Sequence, residues 1–227
     1  MIADKSKITI AIDGTAGVGK SSVGKAVALK YGISFLSTGQ MYRCLGWKVL
    51  EKGINLTDEA SIIKTAKDIV WSFERQADSS LKVLIDGQYL GNKLLLEETG
   101  RAASKVSAIP QARNIITQKQ KDLGHEGGIV MEGRDIGTVI CPQAPLKIYL
   151  IASAEVRAQR RVTQLEQEGQ KADYEEILAS IKTRDERDST RAVAPLKPAD
   201  DALIIDTSNM SLEQVIDRVL EAAAKLW

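Results

Sequence analysis

The sequence predicts a doubly wound α/β domain, a five-stranded parallel sheet with helices on both faces. Three observations carry that prediction. Five short runs are apolar almost without interruption, as strands buried on both faces of a parallel sheet are. Segments with apolar residues at 3–4 spacing lie between them and predict helices. A glycine-rich turn joins the first apolar run to the first helical segment, the junction on which such folds are built.

The elements follow in order. "ITIAID" (8–13) is the first strand, and "SSVGKAVALKYG" continues as a helix. "ISFL" (33–36) is the second strand. The rhythm then breaks. "IVWSF" and "LKVLIDGQYLG" (81–91) place Asp86-Gly87 between apolar runs, the pattern of a tight hairpin, so a small antiparallel insert is expected here. "GIVME" (128–132), "KIYLI" (147–151) and "ALIID" (202–206) complete the parallel sheet. "EVRAQRRVTQLEQEG" and "SLEQVIDRVLEAAAKL" are helical, and in the second Ser211 stands three residues before Gln214, a capping box.

Composition bounds the function. A chain of 227 residues can bury one substantial core. Lys+Arg 31 against Asp+Glu 30 gives a net charge of +1, which argues against a nucleic-acid partner. No apolar run approaches the roughly 20 residues that cross a bilayer, and "MIADKSK" lacks the pattern of a signal peptide. Cys44 and Cys141 are far apart and the single His125 is near neither, so no zinc site is expected. The expectation is a cytoplasmic, reduced, monomeric chain, with His125 in an exposed loop and with Tyr42 and the tryptophans used in packing.

Gly14, Gly19, Lys20 and Ser21 fit G-x-x-x-x-G-K-[ST] between a strand and a helix, the phosphate-binding loop. Its glycines let successive N–H groups turn toward an anion, and the following helix presents its positive end to the same anion. Lys20 can neutralise outer phosphates and the Ser21 hydroxyl can ligate Mg²⁺. A chance match occurs in about one chain in a hundred of this length, and the strand-to-helix context makes chance less plausible still.

A second phosphate site is suggested by arginines at strand ends. Thr38 and Arg43 follow the second strand, and Arg134 and Asp135 follow the third at "EGRDIGTV". "RDERDSTRAVAPL" sets Arg184, Arg187, Asp188 and Arg191 at i, i+3, i+4 and i+7, one face of a helix. Arg157, Arg160 and Arg161 share another helix face, for which a solvated surface is the competing reading. A guanine-reading Asn-Lys-x-Asp is absent, because Asn92-Lys93 is followed by Leu95. A kinase for another small acceptor and a non-enzymatic nucleotide switch stand as rival readings.

Over nearly its whole length the sequence resembles the bacterial-type cytidylate kinases, within the nucleoside monophosphate kinases. The resemblance rests on "IDGTAGVGKSS", "STGQMYR", "AASKVS", "IPQAR", "MEGRDIGTV", "IYLIAS", "RDERDSTRAVAPL" and "DTSNMSLEQV". It implies one phosphate-loop kinase domain over 1–227, a nucleoside monophosphate-binding insert at about 58–110 and a mobile helical lid at about 157–190. It implies transfer of the γ-phosphoryl group of MgATP to CMP or dCMP, giving CDP or dCDP and ADP, in pyrimidine nucleotide metabolism. ATP would lie on Gly14, Thr15, Ala16, Gly17, Val18, Gly19, Lys20, Ser21 and Ser22, with Ser21 as the metal ligand. Thr38, Tyr42, Arg43 and Arg134 would gather at the CMP phosphate with Arg191 nearby. Ser104, Arg113 and Asp135 would surround cytosine, and Arg184 and Asp188 the sugar. Lys20, Arg134, Arg160, Arg161 and Arg191 would act on the transferring group, and Arg157, in the lid with Arg160 and Arg161, could reach it too. Thr15, Ser37-Thr38 and Glu132 depart from the family's commoner proline, Asp-Ser and aspartate. Of these Glu132 matters most, since its extra methylene shifts a carboxylate beside Mg²⁺.

Overall fold

The five apolar runs form one parallel sheet in a computed structural model, which describes residues 7–226. The opening residues 1–6 and Trp227 lie outside the described residues. Strands β1 (Thr9–Gly14), β2 (Ser34–Ser37), β6 (Ile129–Gly133), β7 (Leu146–Ile151) and β8 (Leu203–Asp206) stand in the order β2-β6-β1-β7-β8. Each begins within one residue of its apolar run, because both faces are covered. On β1, Ile10 and Ile12 face one hydrophobic layer and Ala11 the other. The first layer is closed by helices α1 (Lys20–Tyr31) and α8 (Leu212–Ala223). The second is closed by α2 (Gly39–Glu51), α3 (Glu59–Asp68) and α5 (Pro110–Glu126). Helix α8 starts on the expected capping box: Ser211 Oγ accepts from the Gln214 N–H, and the Ser211 N–H donates to Gln214 Oε1 at 2.9 Å.

The antiparallel insert is present. Strands β3 (Trp71–Arg75), β4 (Leu81–Ile85) and β5 (Gln88–Tyr89) pair in that order. Asp86 and Gly87 form the tight turn between β4 and β5, with φ of 52° and 75°. The insert docks on the outer side of edge strand β2. The Phe35 N–H donates to the Ser79 carbonyl at 2.8 Å, and Arg75 donates to the Gly32 carbonyl at 2.8 Å. Helix α4 (Glu97–Val106) follows and packs closely on α2, where a side chain at Gly46 would meet the Ala103 backbone.

Two helices, α6 (Ala154–Gln167) and α7 (Tyr174–Thr190), separate β7 from β8. Among the described residues α7 is the only α-helix with no buried residue. A buried Leu or Ile stabilises by about 2 kcal/mol, an exposed ion pair by about 0–1 kcal/mol. Helix α7 is therefore the least firmly held.

Two expectations need correction. The helix carrying "RDERDSTR" stops at Thr190, and Arg191 is extended at φ −61° and ψ 140°, off the face assigned to it. Beyond it Ala194 is left-handed (φ 52°), and the Leu196 N–H returns to the Asp188 carbonyl. His125 is exposed but lies in the last turn of α5, not in a loop. Tyr42, Trp47 and Trp71 pack against the core as anticipated.

Candidate active site

The chemistry-bearing residues collect at the carboxyl edge of the sheet, where strand register brings three loops together. Asp13 pairs with Gly133 and Ser37 with Glu132 across neighbouring strands. The loop 14–19 then crosses over the start of α1. Gly14 has φ 145°, and a Cβ there would land on the Leu150 carbonyl oxygen of β7, so this glycine answers a close backbone approach. Gly19 caps α1 in the left-handed region with no side-chain acceptor for the first-turn N–H groups. Such a helix start is suited to an anion. Within the loop, Val18 is buried in the core, so it offers the site only its backbone. Thr15 O accepts from Lys20, while Gly17 and Ser22 are exposed.

Lys20 is 5% exposed and donates to the Thr15 carbonyl at 2.5 Å. Burial, and next the charge of Arg134, bring its pKa down to about 7. Buried Asp13 accepts from the Ile136 and Gly137 N–H groups at 2.9 and 2.7 Å, anchoring the wide turn Ile136–Ile140 that follows Arg134 and Asp135. Burial pushes Asp13 up to about 6, against the pull of those two N–H groups. An anion held by Lys20 favours its protonated form. Triphosphate affinity should therefore fall by about tenfold for each pH unit above about 7, with proton uptake on binding. Calorimetry in buffers of different ionisation enthalpy measures both, and an affinity flat to about pH 9 with no uptake would refute it.

The extra length of Glu132 has a clear use. Its Oε1 accepts from Ser21 Oγ at 2.8 Å and from Ser37 Oγ at 2.6 Å. Because Ser21 donates its proton to Glu132, its lone pairs are free for a cation. The set fits Mg²⁺ shared with phosphate oxygens. Among the described residues there is no group of three or more His, Cys, Asp or Glu that would hold a metal unaided.

The second group lies around Asp135. Arg113 Nη2 meets Asp135 Oδ2 at 2.7 Å, both side chains being buried, and Arg191 Nη2 stands 3.7 Å from Asp135 Oδ1. Arg113 also lies over the Tyr42 ring, 5.4 Å from its centre. Arg113 Nε and Arg191 Nη2 are buried without a hydrogen-bond partner. Leaving such donors unpaired costs about 1–3 kcal/mol each, which a ligand acceptor would recover. Arg134 Nε donates to Asp188 at 2.9 Å. Arg184 is exposed by surface area. Burial, and next the charge of Arg134, lower its pKa.

The other predicted residues have these partners. Thr38 is buried, and its hydroxyl donates to the Glu132 carbonyl at 2.8 Å. Arg43 turns to the insert and donates to the Leu94 carbonyl at 2.6 Å. Ser104 accepts from Arg187 of α7. Arg160 donates to Thr207 Oγ1 and the Thr207 carbonyl, and Arg161 is exposed. It is Arg157, on the same helix, that reaches the phosphate loop. It is 4% exposed, donates to the Ala16 carbonyl at 3.2 Å and pairs with Asp185 at 2.5 Å. In "RDERDSTR" the 3–4 spacing singles out Arg184, Arg187 and Asp188 and passes over Asp185.

A family model described as cytidylate kinase matches residues 10–225 of the chain. The cytidylate kinase of Rhodococcus jostii is 44% identical over 216 residues, covering 95% of this chain and 94% of that one. That of Pasteurella multocida is 41% identical over 215 residues, covering 95% and 94%. That of Caldicellulosiruptor saccharolyticus is 42% identical over 220 residues, covering 97% of each. A solved structure of an uncharacterized protein from Eubacterium ventriosum shares the fold at a TM-score of 0.51 and 16% identity, covering 96% and 99%. No helix among the described residues is long and apolar enough to cross a membrane. The chain belongs to the cytidylate kinase family.

Proposed function

We propose that this chain transfers the γ-phosphoryl group of MgATP to CMP or dCMP, giving ADP and CDP or dCDP. One observation carries the reading: two cationic groups stand side by side at the carboxyl edge of the sheet. Lys20 and the loop form the first; Arg113, Arg134 and Arg191 form the second, with the carboxylate of Asp135 set among them. The charge of Arg134 bears directly on Lys20, so the two groups are near neighbours. That arrangement suits two phosphates in line. A switch has no use for the second group.

The acceptor's phosphate oxygen is already ionised at pH 7, so no general base is needed. The loop N–H groups and Lys20 hold the donor, and Arg134 and Arg191 hold the acceptor against charge repulsion. Ser21, backed by Glu132, would hold Mg²⁺, which neutralises phosphate charge. Asp135 can accept from the exocyclic amine of cytosine, whereas uracil offers an acceptor there and is repelled. The segment at about 58–110 would bind the nucleoside monophosphate, and that at about 157–190 would close as a lid and exclude water. Arg160 and Arg161 would approach the transferring group only through that closure. The protein would act in the cytoplasm as a monomer.

ADP formation from MgATP is the test, against CMP, dCMP, UMP, AMP, GMP and no acceptor. Turnover confined to CMP and dCMP is expected. Equal use of UMP would remove the role of Asp135, and hydrolysis indifferent to every acceptor would favour a switch.

A further inference from the structure

Helix α7 holds the acceptor-side residues Arg184 and Asp188, yet none of its residues is buried. Its attachment to the body is polar. Asp188 pairs with Arg134, Arg187 donates to Ser104 of α4, and Lys182 pairs with Glu155 at 3.2 Å. One attachment differs from these. Asp185 takes both terminal nitrogens of Arg157, at 3.2 and 2.5 Å. Arg157 in turn donates through Nε to the Ala152 carbonyl at 3.0 Å and through Nη1 to the Ala16 carbonyl at 3.2 Å. Its side chain lies beneath Gly17, where a Cβ would come within 3.5 Å of Arg157 Cβ. Three nitrogens of one guanidinium thus join the phosphate loop, the end of β7 and helix α7. The planar fork makes that span in a way an ammonium cannot.

We propose that Asp185 is a positioning residue which, through Arg157, links occupancy of the phosphate loop to the acceptor site. The inference rests on the phosphotransfer reading above. A triphosphate that orders the glycine-rich loop fixes the Ala16 carbonyl, and with it Arg157 and Asp185. Asp188 lies three residues further along the same face of α7 and Arg184 adjoins Asp185, so both are settled by the same event. The entropy of ordering α7 is then shared between two ligands, and each favours the other. Asp185 itself touches neither ligand.

The test is the dissociation constant of CMP, measured by calorimetry with and without a saturating non-hydrolysable ATP analogue. In the wild-type chain the analogue should tighten CMP by about fivefold or more. In D185N the ratio should fall to about one, while the affinity for the analogue alone stays within about twofold. R157K, which keeps the charge and loses the fork, should behave like D185N, and D185E should restore part of the ratio. E155Q removes another lid ion pair and should leave the ratio unchanged. A purely structural role would lower the melting temperature and both affinities together with the ratio intact, which overturns the proposal. So would a wild-type ratio of one, or an equal loss in E155Q. A wild-type chain that binds no CMP at all instead overturns the proposed function and leaves the Arg157–Asp185 geometry unexplained.

Discussion

Replacing Gly14 by alanine should cost more than about 4 kcal/mol of folding stability, beyond the range of ordinary substitutions. The residue sits at φ 145°, which L side chains rarely adopt, and the added Cβ would meet the Leu150 carbonyl oxygen of the neighbouring strand. Left-handed strain alone accounts for about 1–3 kcal/mol. The remainder comes from the obstacle, which is backbone in a parallel ladder paired Gly14 with Leu150 and cannot rotate away. Relief requires β1 and β7 to separate where the phosphate loop begins. Since domains of this size are stable by about 5–15 kcal/mol, the variant should be largely insoluble or melt far below the wild type. Denaturant titration decides it, and a midpoint stability within about 0.5 kcal/mol of wild type would disprove the close-approach argument.

Replacing Lys20 by methionine should act in the opposite sense on stability and activity. Turnover with CMP should drop by about 10²–10³-fold, the usual cost of removing one preorganised charge donor from a transition state. Folding should be unharmed or improved. Burial depresses the Lys20 pKa from 10.5 to about 7, so the unfolded chain binds more protons than the folded one between those values. The cost of burying this charge is therefore fully present below pH 7 and fades as pH rises toward 10.5. K20M should gain most in melting temperature at the acid end of that window. A variant that keeps above about a tenth of wild-type turnover would remove Lys20 from the mechanism.

The sheet was legible because its strands are buried on both faces, which writes each one as an uninterrupted apolar run. The Asp86-Gly87 turn and the Ser211 cap were legible because their signals are local. Arg157, Arg160 and Arg161 show where such reading stops. They form one stripe in sequence, but Arg157 passes under Gly17, Arg160 is taken by Thr207 and Arg161 is in solvent. Packing against loops more than 40 residues away separates them. The bond from Arg43 to Leu94 O was unreadable for the same reason, since its acceptor lies 51 residues along the chain. Arg191 was misplaced because the helix stops at Thr190, one residue short of it. Asp185 could not be found at all: it falls between the residues that the helical spacing selects, and only its Arg157 partner gives it meaning.

The docking of the insert along β2 has a consequence unrelated to nucleotides. β2 is the outermost strand on its side of the parallel sheet, so its free main-chain groups are a template for another chain. Ser79 occupies the Phe35 N–H, and Arg75 occupies the Gly32 carbonyl just ahead of the strand. The strand at the opposite edge, β8, is as short as β2, four residues each. Seen this way the insert shields against intermolecular strand addition, and it does so whatever is bound elsewhere. A shortened chain lacking it would expose Ser34–Ser37 and trade a lost specificity element for a colloidal liability. That gives natural selection a reason to keep the segment quite apart from catalysis.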